Sequence, residues 1–252
     1  MIQITQLKLS YWHSAVELEQ KIRKTLKLSG NQKFTYKIIK KSIDARKKPD
    51  LYLVYTVQVS CDNESGVVKK TKNASVSIVN PKSYKLPQTG ELSISNPPLV
   101  IGAGPAGLFA AYLLVEAGFR PILIERGKAV EERQKDVEEF WRTGILNTES
   151  NVQFGEGGAG TFSDGKLNTV VKDPANRNAF VLETFVRFGA PEQILYENKP
   201  HIGTDILCKV IANMRNYLLE KGAQVYFETC AKEFVIENHQ IKQVICENGK
   251  AF

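Results

Sequence analysis

The chain has 252 residues, 42% of them hydrophobic and 24% charged, which fits a folded protein of one or two domains and excludes disordered, collagenous and disulfide-scaffold classes. The formal net charge of +7 is uneven: residues 1–96 hold 17 Lys and Arg against 7 Asp and Glu, and the remainder 17 against 20. Cys61, Cys208, Cys230 and Cys246 show neither Cys-x-x-Cys nor metal-ligand spacing, so no metal site is expected and the thiols read as small buried hydrophobes. The N-terminal residues lack the basic-then-apolar block of a secretory signal, so the expected location is cytoplasmic.

Ile2 to Leu9 reads as a strand. Ser14-Ala-Val-Glu17 is a capping box opening a helix with Leu18, Ile22 and Leu26 on one face, closed by Ser29-Gly30. Phe34 to Ile43 and Leu51 to Val59 are strands, the second alternating through Leu53, Tyr55 and Val57, with residues 44–50 as the turn between them. A weaker helical segment, Asp62 to Lys72, and a strand, Ala74 to Ile78, complete the order β-α-β-β-α-β. Residues 1–80 are therefore expected to form a small ferredoxin-like α+β domain. RNA-recognition domains share this topology, but the third strand lacks the basic-Gly-aromatic start and the aromatic spacing that stack bases. Nucleic acid is a permitted but not favoured partner, and Tyr52 and Tyr55 read as packing residues.

Pro81, Pro87, Gly90, Pro97 and Pro98 mark 81–97 as a linker and 98–252 as a second, Rossmann-like α/β domain. Residues 92–115 carry no charge, a length that by itself matches a membrane helix. Three prolines and three glycines inside the window argue against that, and no membrane contact is expected. Leu99 to Ile101 suits a buried parallel strand, and Gly102, Gly104 and Gly107 follow at G-x-G-x-x-G spacing. Gly102 permits the strand-to-helix turn, Gly104 lets backbone approach a pyrophosphate, and Gly107 lets the helix pack on the strand. Pro105 and Ala106 begin the helix, where Pro105 has no N–H to waste and the free amides and helix dipole face the phosphates. The helix ends at Gly118. Ile122 to Ile124 form the next strand, and Glu125 stands 23 positions after Gly102, about where an acid accepts from a ribose 2′-OH.

Val130 to Trp141 reads as a charged helix with Val130, Val137 and Trp141 on one stripe. Phe154 to Leu167 is a second glycine-rich stretch, whose backbone N–H groups suit an anion-binding nest. Asp164 and Lys166 within it are acid and base candidates. Phe180, Val181, Phe185 and Val186 suit a helix stopped by Gly189. Thr204-Asp205 caps another, with Leu207, Ile211, Met214 and Leu218 facing the core. Val225 to Phe227, Phe234 to Ile236 and Ile241 to Cys246 are short strands, the last two joined by Asn238-His239-Gln240. His201 has no partner at ligand spacing and more often caps or packs.

Ile-Gly-Ala-Gly-Pro-Ala-Gly-Leu-Phe-Ala-Ala with Leu-Ile-Glu-Arg-Gly resembles the FAD fingerprint of the two-dinucleotide-binding-domain flavoproteins. Asn151 to Leu167 and Pro200-His-Ile-Gly-Thr-Asp205 resemble, more narrowly, a bacterial family of FAD-dependent dehydrogenases sometimes described as NAD-utilising. The resemblance implies an FAD-dependent oxidoreductase, with NAD or NADP as a candidate electron donor, and leaves the small-molecule substrate and the catalytic residues unassigned. It implies a cofactor site of Gly102, Gly104, Pro105, Ala106, Gly107, Glu125, Arg126, Gly157, Gly158, Gly160, Thr161 and Ala231. In it Glu125 binds the adenosine ribose, the 155–161 loop lies along the pyrophosphate or flavin, and Thr229 to Ala231 pass near the adenine. Members of this family continue past Phe252, so the 252 residues alone are expected to bind FAD weakly. The alternatives are an RNA-associated flavoprotein using the basic first domain and a non-catalytic dinucleotide-binding protein.

Overall fold

The computed structural model describes the chain except residues 163–164 and 168–170. Two compact units emerge, and neither is one continuous stretch. The first comprises Met1–Tyr84, the described residues of Asn168–Glu183, and Pro191–Pro200; the second comprises the described residues of Lys85–Leu167, Thr184–Ala190 and His201–Phe252. The expected division into 1–80, 81–97 and 98–252 is continuous along the chain, whereas here two later segments group with the first unit. Side chains and backbone within the first unit show why: Tyr84 stacks on Phe180 at 4.9 Å, and Asn176 Nδ2 donates to Lys82 O at 2.6 Å. Lys41 N donates to Tyr196 O, and Asn198 N to Lys41 O.

The first unit runs β1 (Ile2–Ser10), α1 (Ala15–Thr25), β2 (Phe34–Lys47), β3 (Asp50–Cys61), α2 (Glu64–Thr71) and β4 (Val76–Ile78). Its sheet has the order β2-β3-β1-β4, antiparallel throughout. Ile2 and Ile4 point into the core, whereas strict alternation would then turn Gln6 inward and Leu7 out. A bulge at Gln6, φ 54°, resets the register so that Leu7 is buried beside Ile4. Leu18, Ile22 and Leu26 cover this face from α1, whose capping box is intact: Glu17 N donates to Ser14 Oγ and Ser14 N to Glu17 Oε2. The turn expected over residues 44–50 is shorter than read, because β2 extends to Lys47 and pairs with Asp50.

The second unit holds β5 (Leu99–Ile101), α3 (Pro105–Glu116), β6 (Ile122–Ile124), α4 (Val130–Thr143), α6 (Thr204–Glu220), β7 (Gln224–Tyr226), β8 (Ala231–Glu237) and β9 (Gln240–Cys246), while α5 (Arg177–Arg187) crosses the chain boundary between units. Strands β5, β6 and β7 form a parallel sheet in that order, and β8 and β9 an antiparallel hairpin turned by Asn238 and His239, both at positive φ. Helix α3 is apolar almost all round and buries Leu108, Ala111, Tyr112 and Val115. Three expectations are corrected here. Trp141 is 65% exposed, so the buried stripe of α4 is Val130, Arg133 and Val137. Helix α6 has Gly203 as N-cap with no side-chain cap bond, rather than Thr204. Only Cys246 is buried among the four free thiols. Among the described residues no helix is long and apolar enough to cross a membrane.

Candidate functional site

Parallel strands end at their C-terminal edge with backbone groups and helix N-termini gathered together, which is where ligands of open α/β sheets sit. At that edge Gly102 adopts φ +94° and donates to Ile124 O at 2.7 Å, turning the chain from β5 into α3. A Cβ on Gly107 would lie 1.8 Å from Gly102 O, so only glycine lets helix and turn approach. A Cβ on Gly104 would meet nothing nearer than Gly158 Cα at 4.0 Å, so the face of Gly104 is open. Pro105 occupies the first helical position, and the helical hydrogen-bond ladder starts with Leu108 N donating to Gly104 O. The amides of Ala106 and Gly107 precede that ladder and belong to the donor end of the helix.

Glu125 follows β6 and is 7% exposed. Its Oε2 accepts from Ala103 N at 2.7 Å, and its Oε1 from Gly127 N at 2.9 Å and Gly155 N at 3.1 Å. One carboxylate thus ties the glycine turn, the segment after β6 and the second glycine-rich stretch together. Thr229 N donates to Glu125 O, which brings the segment after β7 to the same place. Between them opens a cleft of about 470 Å³ lined by Gly102, Glu125, Arg126, Phe154, Cys230 and Ala231, with Ile101, Ile124 and Thr229 completing it. Arg126 braces one side: its guanidinium lies 5.0 Å from the Phe154 ring centroid, and Nε donates to Cys230 Sγ at 3.3 Å.

The second glycine-rich stretch is built differently from the expected nest. The amides of residues 155–158 are all spent inside the protein, on Glu125 Oε1, Lys128 O, Ala103 O and Gly155 O respectively. Three of its carbonyls and two just before it converge on Arg133, 0% exposed, which reaches Asn151 O, Val152 O, Gly155 O, Glu156 O and Gly158 O at 2.6–3.2 Å. Burial lowers the Arg133 pKa to about 10, against the raising effects of Glu125, Cys208 and Glu156, so it remains a cation at neutral pH. Gly157 lies against Ala103, and a Cβ on Gly158 would stand 2.9 Å from Pro105 Cδ, so the loop packs directly on the dinucleotide turn. Thr161 is buried and does not present its hydroxyl at the surface. Arg133 escaped the sequence reading because an arginine on an apolar stripe reads as a break in it; its i+3 spacing from Val130 was the available signal.

Glu156, 1% exposed, links this loop to two helices: Oε2 accepts from Val130 N at the start of α4 and from Arg215 Nη1 of α6 at 2.7 Å. Arg215 also holds Glu131 with Nη2 at 2.6 Å. Burial raises the Glu156 carboxyl to about 7, outweighing the opposing pull of Arg215, while Oε1 has no partner among the described residues. Lys166 lies opposite His201 in an antiparallel bridge, a pairing that sequence spacing could not reveal, whereas Asp164 lies outside the described residues. Among the described residues no cluster of three or more His, Cys, Asp or Glu is placed to hold a metal.

Residues 100–130, which contain the glycine turn and Glu125, match the profile of the NAD(P)-binding Rossmann-like domain, and residues 1–60 that of a domain of unknown function, DUF8436. An uncharacterized protein of Clostridium beijerinckii is 41% identical over 249 residues, 99% of this chain and 46% of its own. The chain therefore spans about half the length of that relative. Solved structures with weak similarity include Thermovibrio ammonificans THI4, at 18% identity, TM-score 0.37, and 61% and 47% coverage of the two chains. Glycine oxidase from Bacillus cereus superposes at 16% identity, TM-score 0.31, and 61% and 52% coverage. L-amino acid deaminase from Proteus vulgaris follows at 15% identity, TM-score 0.31, and 67% and 48% coverage.

Proposed function

We propose that the second unit is the adenosine-binding part of an FAD-dependent oxidoreductase, and that the first unit, with its β-α-β-β-α-β order, is a ferredoxin-like domain attached to it. The observation that carries the reading is the cleft at the C-terminal edge of β5, β6 and β7, walled by Gly102, Glu125, Arg126 and Ala231. The residues fit a dinucleotide. Gly104 has open space where a pyrophosphate approaches, and the N-terminus of α3 faces it without an acidic side chain in its first turn. Glu125 would offer its one remaining acceptor site, on Oε2, to a ribose hydroxyl, and the apolar walls Ile101, Ile124 and Phe154 would take the base. Arg133, Glu156 and the buried glycine loop hold these groups still. Bound FAD would supply the hydride chemistry. Turnover, the electron donor, whether NAD or NADP, and the small-molecule substrate are proposed for a protein of the relative's length rather than for this half of it.

A nicotinamide dinucleotide as the resident ligand is the second reading, supported by the description of the profile that matches residues 100–130. Titration separates the two. The purified chain is expected to bind added FAD, weakly, and still more tightly than NADH. Gly104→Val is expected to weaken binding at least about tenfold by placing side-chain bulk where the phosphate approaches. NADH binding without FAD binding would move the assignment to the second reading, and unchanged titrations for Gly104→Val would remove the site altogether.

A further inference from the structure

The basicity of the first unit is not used by the dinucleotide site, and its exposed aromatic residues are not those of the third strand. Tyr55 is buried with its hydroxyl against His13 Nε2, and the Tyr52 ring is covered by Lys8 Nζ at 3.9 Å. The open rings lie where β1 ends. Tyr11 N donates to Leu51 O, holding the chain at the start of β3 while Trp12 stands 84% exposed, edge to face with Tyr11 at 4.9 Å.

Tyr11 also walls a cleft of about 550 Å³ within this unit, shared with Lys41, Ser42, Ile43, Asn198 and Lys199. Its floor exists because residues 196–198 pair with β2 at Lys41. Lys41 is partly compensated by Glu197 at 3.9 Å, while Lys199 is exposed. Beyond Ile43 the same strand pair runs to a hairpin tip with Arg46, Lys47 and Lys48, all exposed.

We propose that this cleft, with Trp12 packed edge to face on Tyr11 of its wall, binds single-stranded nucleic acid. Lysines at the cleft and the hairpin tip meet backbone phosphates, and Trp12 and Tyr11 offer flat faces on which unpaired bases stack without regard to sequence. Ser42, Asn198 and Glu197 supply both donors and acceptors for base edges. Duplex is disfavoured, because its bases are already stacked and cannot reach the rings. An anionic membrane is disfavoured because the cleft carries Glu197 and Asn198 where an inserting surface would be apolar.

The test uses the whole 252-residue chain and a labelled oligouridine of about 12 nucleotides, followed by fluorescence anisotropy. Binding is expected at about 50 mM salt and to fall steeply by about 200 mM. Trp12→Ala should weaken it roughly tenfold. Lys41→Glu with Lys199→Glu should weaken it further and flatten the salt dependence. Trp141→Ala, at another exposed tryptophan, in the second unit, should change nothing. Thermal melts matching the parent keep a binding loss from being read as unfolding, since these side chains are at the surface. A duplex of the same length or phosphatidylserine vesicles binding as tightly, no binding at low salt, or an unaltered affinity for Trp12→Ala would overturn the proposal.

Discussion

The four-stranded sheet of the first unit rests on Ile2, Ile4, Leu18, Ile22, Leu26, Val57 and Val59, an apolar layer in which Thr71 is the only buried polar residue among the described positions. At the C-terminal edge of the parallel sheet the burial is of another kind: Glu125, Arg133 and Glu156 are the buried charged residues among the described positions, and all stand in the second unit. An apolar layer stabilises by filling space and works only where nothing else must enter. A ligand edge has to stay open, and its turns expose many peptide groups that need partners. Long charged side chains meet that need from behind, which is why one arginine answers five carbonyls and one carboxylate three amides.

This contrast is sharpest at Arg133. Replacing it by alanine leaves the loop carbonyls unpaired and removes the cation whose charge acts on buried Glu125, while Glu156 keeps Arg215, and is expected to destabilise the second unit by about 3–5 kcal/mol. The matching cut in the first unit, Ile4→Ala, removes only packing and is expected to cost about 2–4 kcal/mol. Hydrogen exchange reads both at once through the amides of α3 and β6 on one side and of β1 and β3 on the other. Equal protection of α3 in Arg133→Ala and the parent would erase the distinction.

The pH dependence divides the two regions next. Glu156 titrates at about 7 when folded against its ordinary 4.5, so the folded chain keeps a proton that the unfolded chain has lost. The resulting stabilisation is complete below about pH 4.5 and disappears as the pH rises through 7. Urea unfolding is therefore expected to show stability falling by up to about 3 kcal/mol between about pH 5 and pH 8, and Glu156→Gln should flatten that slope. A slope unchanged in Glu156→Gln would place the titration elsewhere. The smallest effect is expected at the surface of the first unit, where Ser14→Ala removes one half of the α1 capping box at a cost of about 1 kcal/mol, measurable by the same urea titration.

Much of this was legible in order along the chain. Period-two and period-3.6 patterns located β1, α1, β2 and β3, weaker signals marked α2 and β4, the capping box announced α1, and the glycine spacing with Glu125 marked the turn that now lines the cleft. Those signals are local, because each depends on residues a few positions apart. The chemistry of the second glycine stretch was misread for the opposite reason. Glycine density shows that backbone comes close to something, but whether it turns amides outward to an anion or carbonyls inward to a cation depends on what stands behind it. Here that is Arg133, 22 positions before Gly155 in sequence and in contact only after folding. The tie between residues 196–198 and β2, the pairing of Lys166 with His201 and the convergence of Ala103, Gly127 and Gly155 on Glu125 are of the same class. Sequence determined which segments are strand, helix and turn, since those follow from neighbouring side chains. Tertiary structure decided where each peptide group finds its partner, since a hydrogen bond depends on distance in space and no periodicity encodes a contact between segments tens of residues apart.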